Sequence, residues 1–242
     1  MIVIPAIDIS NGKCVRLTQG KKEAKTEYSE NPVEIGLVFE EQGAEILHLI
    51  DLDRAIDSSV ENQTVIEKIV KSLNIPVELG GGMRTMADIE WAIGAGVARV
   101  ILGTSVISNR PLVAESIEKF TAEKIVIGID ASDGYVAIKG WKEITEVKAA
   151  DLARDMEKAG ASRIIYTDIK RDGMLTGPNT EELKTMLDAV NLKIIASGGI
   201  SSLEDIKSLL SLNEQRLEGF ITGKALYEEK FTLTEALTVV GN

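Results

Sequence analysis

The chain has 242 residues, of which 44% are hydrophobic, 27% are charged and 4% are aromatic. This composition is typical of a globular protein and excludes a disordered or fibrous chain. The formal net charge is −11, and acidic residues exceed basic ones in both halves of the chain. Because there is no basic run, the charge pattern excludes the usual electrostatic footprint of a nucleic-acid-binding protein.

Cys14 is the single cysteine and His48 the single histidine. This excludes an internal disulfide and the usual zinc clusters, so we expect no metal site. No apolar run approaches the roughly 20 residues of a membrane-spanning helix. Asp8 interrupts the N-terminal region too early for the apolar segment of a signal peptide. We therefore expect a cytoplasmic protein without a membrane partner.

Short continuous apolar runs alternate with segments in which apolar residues recur every three or four positions. The runs, typical of strands covered on both faces, predict strands at Ile2–Ile7, Ile46–Asp51, Pro76–Leu79, Arg99–Leu102, Ile125–Asp130, Arg163–Thr167, Lys193–Ala196 and Gly219–Thr222. The periodic segments predict helices at Pro32–Gln42, Glu61–Ser72, Thr85–Ala95, Lys148–Ala159 and Ser202–Leu212. Gly43, Gly96 and Gly160 stand where helices are expected to end. The alternation predicts an α/β fold of one domain over residues 1–242, a (β/α)8 TIM barrel, with a doubly wound open sheet as the alternative.

An internal repeat divides this barrel. The ten residues from Gly80 align with the ten from Ser197, and the same offset pairs Asp51 with Asp168. Nearly equal offsets pair Asp8 with Asp130 and Gly103 with Gly223. We therefore predict two similar half-barrels, approximately residues 1–121 and 122–242.

Each repeated landmark falls at the carboxyl end of a predicted strand, where the active site of a barrel lies. Loops rich in glycine expose backbone N–H groups that can hold a phosphate without a lysine cluster. The candidate phosphate ligands are Gly81, Gly82, Gly103 and Thr104 in the first half and Ser197, Gly198, Gly199, Gly223 and Lys224 in the second. Two opposed sites favour an elongated bisphosphate substrate, whereas the alternative is that these glycines only form tight turns. The loops lack the spacing of nucleotide-binding fingerprints.

Asp8 and Asp130 end strands that lie opposite each other in an eight-strand ring. A carboxylate at the mouth of a barrel, beside apolar walls, can have a raised pKa and act as a general acid or base. The alternative is that each carboxylate caps the next helix. For the second pair, Asp51 and Asp168, capping or loop support stays open beside a role in substrate binding.

Two other residues have open roles. His48 lies inside a predicted strand and is expected to be a satisfied core histidine. Trp141, in the long connection after the fifth strand, is either a lid that stacks on a planar ligand or part of the loop packing.

The chain resembles one family over its whole length. The motifs that carry the resemblance are Ile4-Pro5-Ala6-Ile7-Asp8, Val15-Arg16-Leu17-Thr18-Gln19-Gly20, Leu49-Ile50-Asp51-Leu52-Asp53, Gly80-Gly81-Gly82-Met83-Arg84, Gly140-Trp141, Tyr166-Thr167-Asp168-Ile169, Arg171-Asp172-Gly173, Ser197-Gly198-Gly199-Ile200 and Gly223-Lys224-Ala225-Leu226. They resemble the isomerases of histidine biosynthesis that act on phosphoribosylformimino-5-aminoimidazole carboxamide ribotide.

The resemblance implies an Amadori rearrangement, in which an aminoaldose becomes an aminoketose without a cofactor or metal. By this analogy Asp130 is the general acid, Asp8 removes the proton from C2, and Thr167 positions the substrate. Arg16, Arg84 and Trp141 match positions that contact the substrate. Lys224 departs mildly from the family, because many relatives carry arginine there.

Three rival functions remain at this stage: an isomerase that acts alone or additionally on phosphoribosylanthranilate, the cyclase subunit of imidazole glycerol phosphate synthase, and a non-catalytic sugar-phosphate sensor. The duplicated phosphate loops argue against phosphoribosylanthranilate as the sole substrate, since it has one phosphate. The expected partner is a small bisphosphate substrate. The sequence leaves the oligomeric state open, with a monomer favoured.

Overall fold

A computed structural model describes residues 1–18 and 21–241, so Gln19 and Gly20 of the second resemblance motif lie outside the described residues. The strands found there are β1 (Ile2–Ser10), β2 (Lys13–Thr18), β3 (Lys21–Ser29), β4 (Leu47–Asp51), β5 (Val77–Gly80), β6 (Arg99–Leu102), β7 (Ile125–Ser132), β8 (Tyr135–Ile138), β9 (Glu143–Lys148), β10 (Arg163–Asp168), β11 (Lys193–Ser197) and β12 (Leu217–Thr222). Eight of them, β1, β4 to β7 and β10 to β12, pair in parallel in chain order, and β12 pairs with β1. The ring is closed, which confirms the predicted (β/α)8 barrel over the open sheet.

The other four strands form two antiparallel arms above the barrel. β2 pairs with the end of β1 and with β3, and β8 pairs with the end of β7 and with β9. Because this pairing continues past the barrel rim, β1 runs to Ser10 and β7 to Ser132, beyond their predicted ends. The arms escaped prediction because β9 (Glu143–Lys148) is polar and largely exposed, and β8, although Val136 and Ala137 are buried, is only four residues long.

Helices cover the outside of the barrel. In the described chain they are α1 (Pro32–Glu41), α2 (Leu52–Asp57), α3 (Gln63–Ser72), α4 (Met86–Gly94), α5 (Ser105–Ser108), α6 (Arg110–Phe120), α7 (Ala149–Lys158), α8 (Thr180–Ala189), α9 (Leu203–Ser211), α10 (Lys224–Tyr227) and α11 (Leu233–Val240). The five predicted helices are present with ends shifted by one or two residues. Gly43, Gly96 and Gly160 follow α1, α4 and α7 with φ of 98°, 98° and 93°, as glycine C-caps do. None of the helices described is long and apolar enough to cross a membrane.

The core has two layers, because successive side chains of a strand point to opposite faces. One layer lies between the strands and the helices. The other fills the barrel interior and consists of Ile4, Ala6, Ile46, Ile101, Val126, Ile165, Ile195 and Ile221. Since Asp8 follows Ala6 by two positions and Thr167 follows Ile165 by two, both side chains face the interior one layer above the apolar filling. Asp130 lies four positions after Val126 on β7, so its side chain also faces the interior.

The same cluster of contacts supports the barrel mouth twice. Asp51 accepts hydrogen bonds from the Arg54 N–H (3.1 Å) and the Asn62 amide (2.8 Å). At the same offset as the sequence repeat, Asp168 accepts from the Arg171 N–H (3.3 Å) and the Asn179 amide (2.6 Å). In each half a Gly-Gly turn lies against this cluster, and the next helix begins with a capping box, Thr85 with Asp88 and Ser202 with Asp205.

The turn glycines leave no room for a side chain. Gly81 has φ of 97°, and a Cβ there would lie 2.3 Å from the Asp51 carbonyl oxygen. Gly198 has φ of 96°, and a Cβ there would lie 2.6 Å from the Asp168 carbonyl oxygen. The glycines therefore allow strand ends of neighbouring units to approach each other.

We predict that Gly81→Ala lowers the free energy of unfolding by about 2 kcal/mol, because the new Cβ adds strain at positive φ and meets backbone. Gly94→Ala is the matched control, since a Cβ on this helical glycine meets nothing within 4 Å. It should leave stability unchanged or raise it by up to about 1 kcal/mol. Denaturant titration of both variants measures this; equal losses would contradict the steric explanation.

Candidate active site

Asp8 lies at the mouth of the barrel with a cation against it. β2 pairs antiparallel with β1, placing Val15 beside Asp8 and Arg16 at the next position. Arg16 Nη1 donates to Asp8 Oδ2 at 3.0 Å. Its Nη2 donates to both carboxylate oxygens of Asp172, at 2.7 and 2.8 Å. Arg16 thus bridges two acidic side chains that belong to opposite halves of the chain.

Asp130 has neutral partners instead. The Trp141 indole Nε1 donates to Asp130 Oδ2 at 2.8 Å. Thr167 lies on the adjoining strand in register with Asp130, and its side chain is a further hydrogen-bond partner of that carboxylate. Trp141 reaches Asp130 from a turn in which Lys139, Gly140 and Trp141 have φ of 56°, 64° and 69°. Three successive residues in the left-handed region turn the chain back over the mouth. The Trp141 indole therefore reaches the Asp130 carboxylate.

The two carboxylates have raised pKa values for the same main reason and different secondary ones. Burial raises the pKa of Asp8, and the Arg16 guanidinium opposes this because it stabilises the anion. Burial also raises the pKa of Asp130, where hydrogen bonds from Trp141 and Thr167 oppose the shift and the negative charge of Asp172 adds to it. The cation beside Asp8 favours its ionised form, whereas Asp130 has no such partner among the described contacts.

One polar cavity lies beside Asp8, between the loops that follow β10, β11 and β12. Its lining includes Arg16, Gly173, Gly199, Thr222, Gly223 and Lys224. Lys224 Nζ donates to the Gly173 carbonyl oxygen at 2.8 Å. The Thr222 hydroxyl and Arg16 Nε are buried polar atoms without a partner in the part of the chain that the structure describes. Unused donors beside a cation and glycine turns are what an anionic group requires.

A second cavity lies beside Asp130, on the opposite side of the mouth. Gly103, Thr104, Gly128 and Asp130 line it, together with residues of β8. The Ser105 hydroxyl, at the start of α5, is buried and has no partner within the described chain. The Thr104 hydroxyl accepts the Lys139 N–H at 3.3 Å, which ties this loop to the turn that carries Trp141.

Other predicted site residues lie at the rim with their polar groups engaged. Arg84 donates to the Ala55 carbonyl (2.6 Å) and the Ser58 hydroxyl (2.7 Å), so its guanidinium caps the C-terminal end of α2. Asp168 accepts hydrogen bonds from the Lys170 N–H at 2.9 Å and from the Asn179 amide. These contacts support the loop, which was one of the two roles considered for Asp168. The contact of Arg84 and Asp168 with substrate stays a prediction.

Ser197 and Gly199 flank Gly198 at the mouth, where the turn passes close to the Gly177 and Asp168 backbones. Gly82, with φ of 68°, makes the corresponding approach to the Arg54 carbonyl. His48 is buried one layer lower and lies 2.7 Å from Glu78 Oε1, as expected of a satisfied core histidine.

Sequence reasoning did not assign a role to Asp172, although the residue lies in a motif that carried the resemblance. Its carboxylate faces Arg16 from a loop far along the chain. The residue pattern gave one usable signal, an acidic residue just after a strand end. No spacing rule connects it with an arginine in the first arm.

A closed barrel whose mouth carries one buried and one half-buried carboxylate between two polar cavities defines a (β/α)8-barrel enzyme with the groups for acid–base chemistry. A family model described as "Histidine biosynthesis protein" matches residues 2–232, and the chain belongs to that family.

Similar proteins cover nearly the whole chain. The proteins from Trichlorobacter lovleyi, Clostridium botulinum and Pelobacter propionicus are 48%, 46% and 47% identical to it. The matches span 98%, 99% and 100% of this chain and 96%, 98% and 98% of those proteins. Each is named as an imidazole-4-carboxamide isomerase whose substrate name contains two phosphoribosyl groups.

We predict that Asp130→Asn stabilises the protein at neutral pH. A folded-state pKa above the unfolded one means that stability is lost as pH rises through that range, and the amide removes this loss. The gain should be about 0.5–2 kcal/mol, as is common for such substitutions. It should disappear below about pH 4, where the carboxyl is neutral in both states. Denaturant titrations at both pH values test this; an Asp130→Asn variant that is less stable at pH 7 would contradict it.

Proposed function

We propose that this chain catalyses the Amadori rearrangement of the aminoaldose phosphoribosylformimino-5-aminoimidazole carboxamide ribotide to the corresponding aminoketose, an aldose–ketose isomerisation in histidine biosynthesis. The family and the names of the full-length relatives support the reaction. The observation that supports the residue roles is the unlike partners of the two carboxylates at the mouth: an arginine on Asp8, and an indole N–H with the Thr167 hydroxyl on Asp130.

Asp130 acts first, as the general acid. Burial raises the pKa of this carboxyl, which favours the protonated form that a general acid needs, and no Lys or Arg contacts it within the described chain. It gives that proton to the ribose ring oxygen while the bond from C1 to this oxygen breaks. The lone pair of the substituent nitrogen then forms the C1=N bond of a protonated Schiff base, so charge and electrons balance. Thr167, which shares a hydrogen bond with Asp130, keeps the carboxyl aimed into the mouth.

Asp8 acts second, as the general base. Arg16 stabilises its anion, so a proton acceptor is present when the Schiff base forms. Asp8 removes the C2 proton, the electrons of that bond form C1=C2, and the C=N electrons return to nitrogen. The resulting enolamine tautomerises to the aminoketose. Each proton moves between the substrate and a side chain already at the mouth.

The cavities beside Asp8 and Asp130 would hold the two substrate phosphates. Gly199, Gly223, Thr222 and Lys224 serve the first, and Gly103 and Thr104 with the buried Ser105 hydroxyl serve the second. A substrate anchored at both ends places its aminoaldose between the carboxylates. Arg16 Nε is a buried donor still available to the central part of that substrate.

The same proposal includes the general setting of the enzyme. Residues 1–242 form one domain, built from two halves at about 1–121 and 122–242, and the duplicated Asp–Asn–Gly cluster supports this division. The protein works in the cytoplasm as a monomer on a small bisphosphate.

We expect the purified protein, without added metal, to convert the carboxamide aminoaldose bisphosphate and not phosphoribosylanthranilate. The reason is that the mouth provides two anion cavities, whereas phosphoribosylanthranilate has one phosphate. Steady-state turnover of both compounds, measured in parallel, tests this. Turnover of both would make the chain a dual-pathway isomerase. Binding of the bisphosphate without turnover would instead favour the cyclase or the sensor and remove the roles of Asp8 and Asp130.

Asp8→Asn should abolish turnover while substrate affinity stays within about tenfold, because the amide keeps the shape and loses the proton acceptor. Asp133→Asn is the matched control, since this carboxylate lies just beyond β7 but is exposed and pairs with Lys170. It should leave turnover within about twofold of the parent. Turnover and equilibrium binding are measured for both; full activity of Asp8→Asn would refute the base assignment.

A further inference from the structure

A continuous set of contacts runs from Lys224 to Asp8. Lys224 lies in the cavity assigned to a phosphate and donates to the Gly173 carbonyl oxygen at 2.8 Å. The residue before Gly173 is Asp172, whose two oxygens hold Arg16 Nη2 at 2.7 and 2.8 Å. Arg16 in turn donates to Asp8 Oδ2 at 3.0 Å. Three polar contacts and one peptide unit therefore separate the phosphate cavity from the base.

We propose, on the basis of the proposed function, that Lys224 is a positioning residue that couples phosphate binding to the orientation of Asp8 through Gly173, Asp172 and Arg16. The substrate phosphate then contributes to the rate of proton abstraction as well as to affinity.

The chemistry of lysine makes this coupling possible. An ammonium group has three donors, and Lys224 uses one for the Gly173 carbonyl and lies 3.6 Å from Glu228 Oε1. A bound phosphate can therefore share Lys224 with the Gly173 carbonyl. The loop at Gly173 and Leu175 has φ of 70° and 54°, so its backbone depends on outside contacts for its position.

Asp172 connects the position of the Gly173 loop with Asp8, through Arg16. Its carboxylate is buried and places the Arg16 guanidinium, and the guanidinium opposes the rise that burial causes in the pKa of Asp8. The titratable and charged groups around Asp8 are Arg16, Asp172, His48, Cys14 and Tyr227. A shift of the Gly173 loop moves Asp172 with it, so Arg16 loses its second anchor and holds Asp8 less firmly.

The first test uses steady-state kinetics and their pH dependence. Lys224→Met should raise KM and also lower kcat about ten- to hundredfold, since small displacements of a reacting group cost this much. The acid limb of the kcat profile should move to higher pH, because Arg16 no longer stabilises the Asp8 anion as well. Lys224→Arg should restore both. Lys170→Met is the matched control. Lys170 lies in the same loop as Gly173 but outside the cavity, and its side chain pairs with Asp133, so its loss should change neither KM nor kcat.

A double-mutant cycle separates coupling from simple phosphate binding. Asp172→Asn should lower kcat by itself, and adding Lys224→Met should lower it little further, because both act through one set of contacts. Losses in kcat that multiply, or a Lys224→Met effect confined to KM with an unmoved acid limb, would overturn the proposal. Thermal unfolding of each variant separates these results from misfolding.

A second measurement needs no turnover, so it remains valid if the proposed reaction fails. Inorganic phosphate should slow amide hydrogen exchange in segment 171–175 of the parent and of Lys170→Met, but not of Lys224→Met. Equal protection in Lys224→Met would show that phosphate does not act on this loop through Lys224. An inactive parent that still shows the Lys224-dependent protection would remove the proposed function and leave the coupling standing.

Discussion

Asp8, which is buried, and Asp130, which is half-buried, lie in the mouth of one barrel, where two carboxylates with no compensating partners would be costly. The structure meets this cost differently on the two sides. Arg16 supplies a full charge to Asp8, and Trp141 with Thr167 supplies only hydrogen bonds to Asp130. Both arms that rise above the barrel serve this purpose, since β2 carries Arg16 and the turn between β8 and β9 carries Trp141.

The two halves of the barrel share their supporting contacts, but they differ in the partners they give to the carboxylates at the mouth. Asp51 with Asn62 and Asp168 with Asn179 form the same cluster, and Gly81 and Gly198 make the same close approach. The position that corresponds to Asp172 in the first half is Ala55. Only one half therefore provides the carboxylate that anchors Arg16. A site with perfect twofold symmetry would give Asp8 and Asp130 equal partners, whereas the proposed division into acid and base requires unlike ones.

The barrel could be predicted from sequence because its strands are buried on both faces. That burial imposes continuous apolar runs such as Ile125–Ile129, which stand out against the amphipathic helices. The arms carry a weaker signal, because β9 is polar and largely exposed and the apolar run of β8 is only four residues long. Strand ends at Ser10 and Ser132 were missed for the same reason: their extension depends on pairing with the arms.

Asp8, Asp130 and Thr167 could be selected from the sequence because each follows an apolar run at a strand end, and the structure places all three at the barrel mouth. Their catalytic roles stay predictions. The site was not predictable where the partner is distant in the chain. The Arg16 contact with Asp172 and the Lys224 contact with Gly173 join residues from different arms and loops, so no local pattern encodes them. Arg84 shows that a conspicuous motif does not fix a contact with substrate. Its guanidinium donors bind the C-terminal end of α2.

Phosphate recognition in a chain of net charge −11 depends on how near the donors are. At physiological ionic strength the Debye length is about 8 Å, so distant surface carboxylates weigh little against groups in contact with the ligand. The two cations beside the first cavity already have partners. Arg16 binds Asp8 and Asp172, and Lys224 binds the Gly173 carbonyl. An incoming dianion therefore cannot recruit either cation without acting on those partners. Under the proposed function, recognition by cations that already have partners therefore links substrate affinity to the position of Asp8.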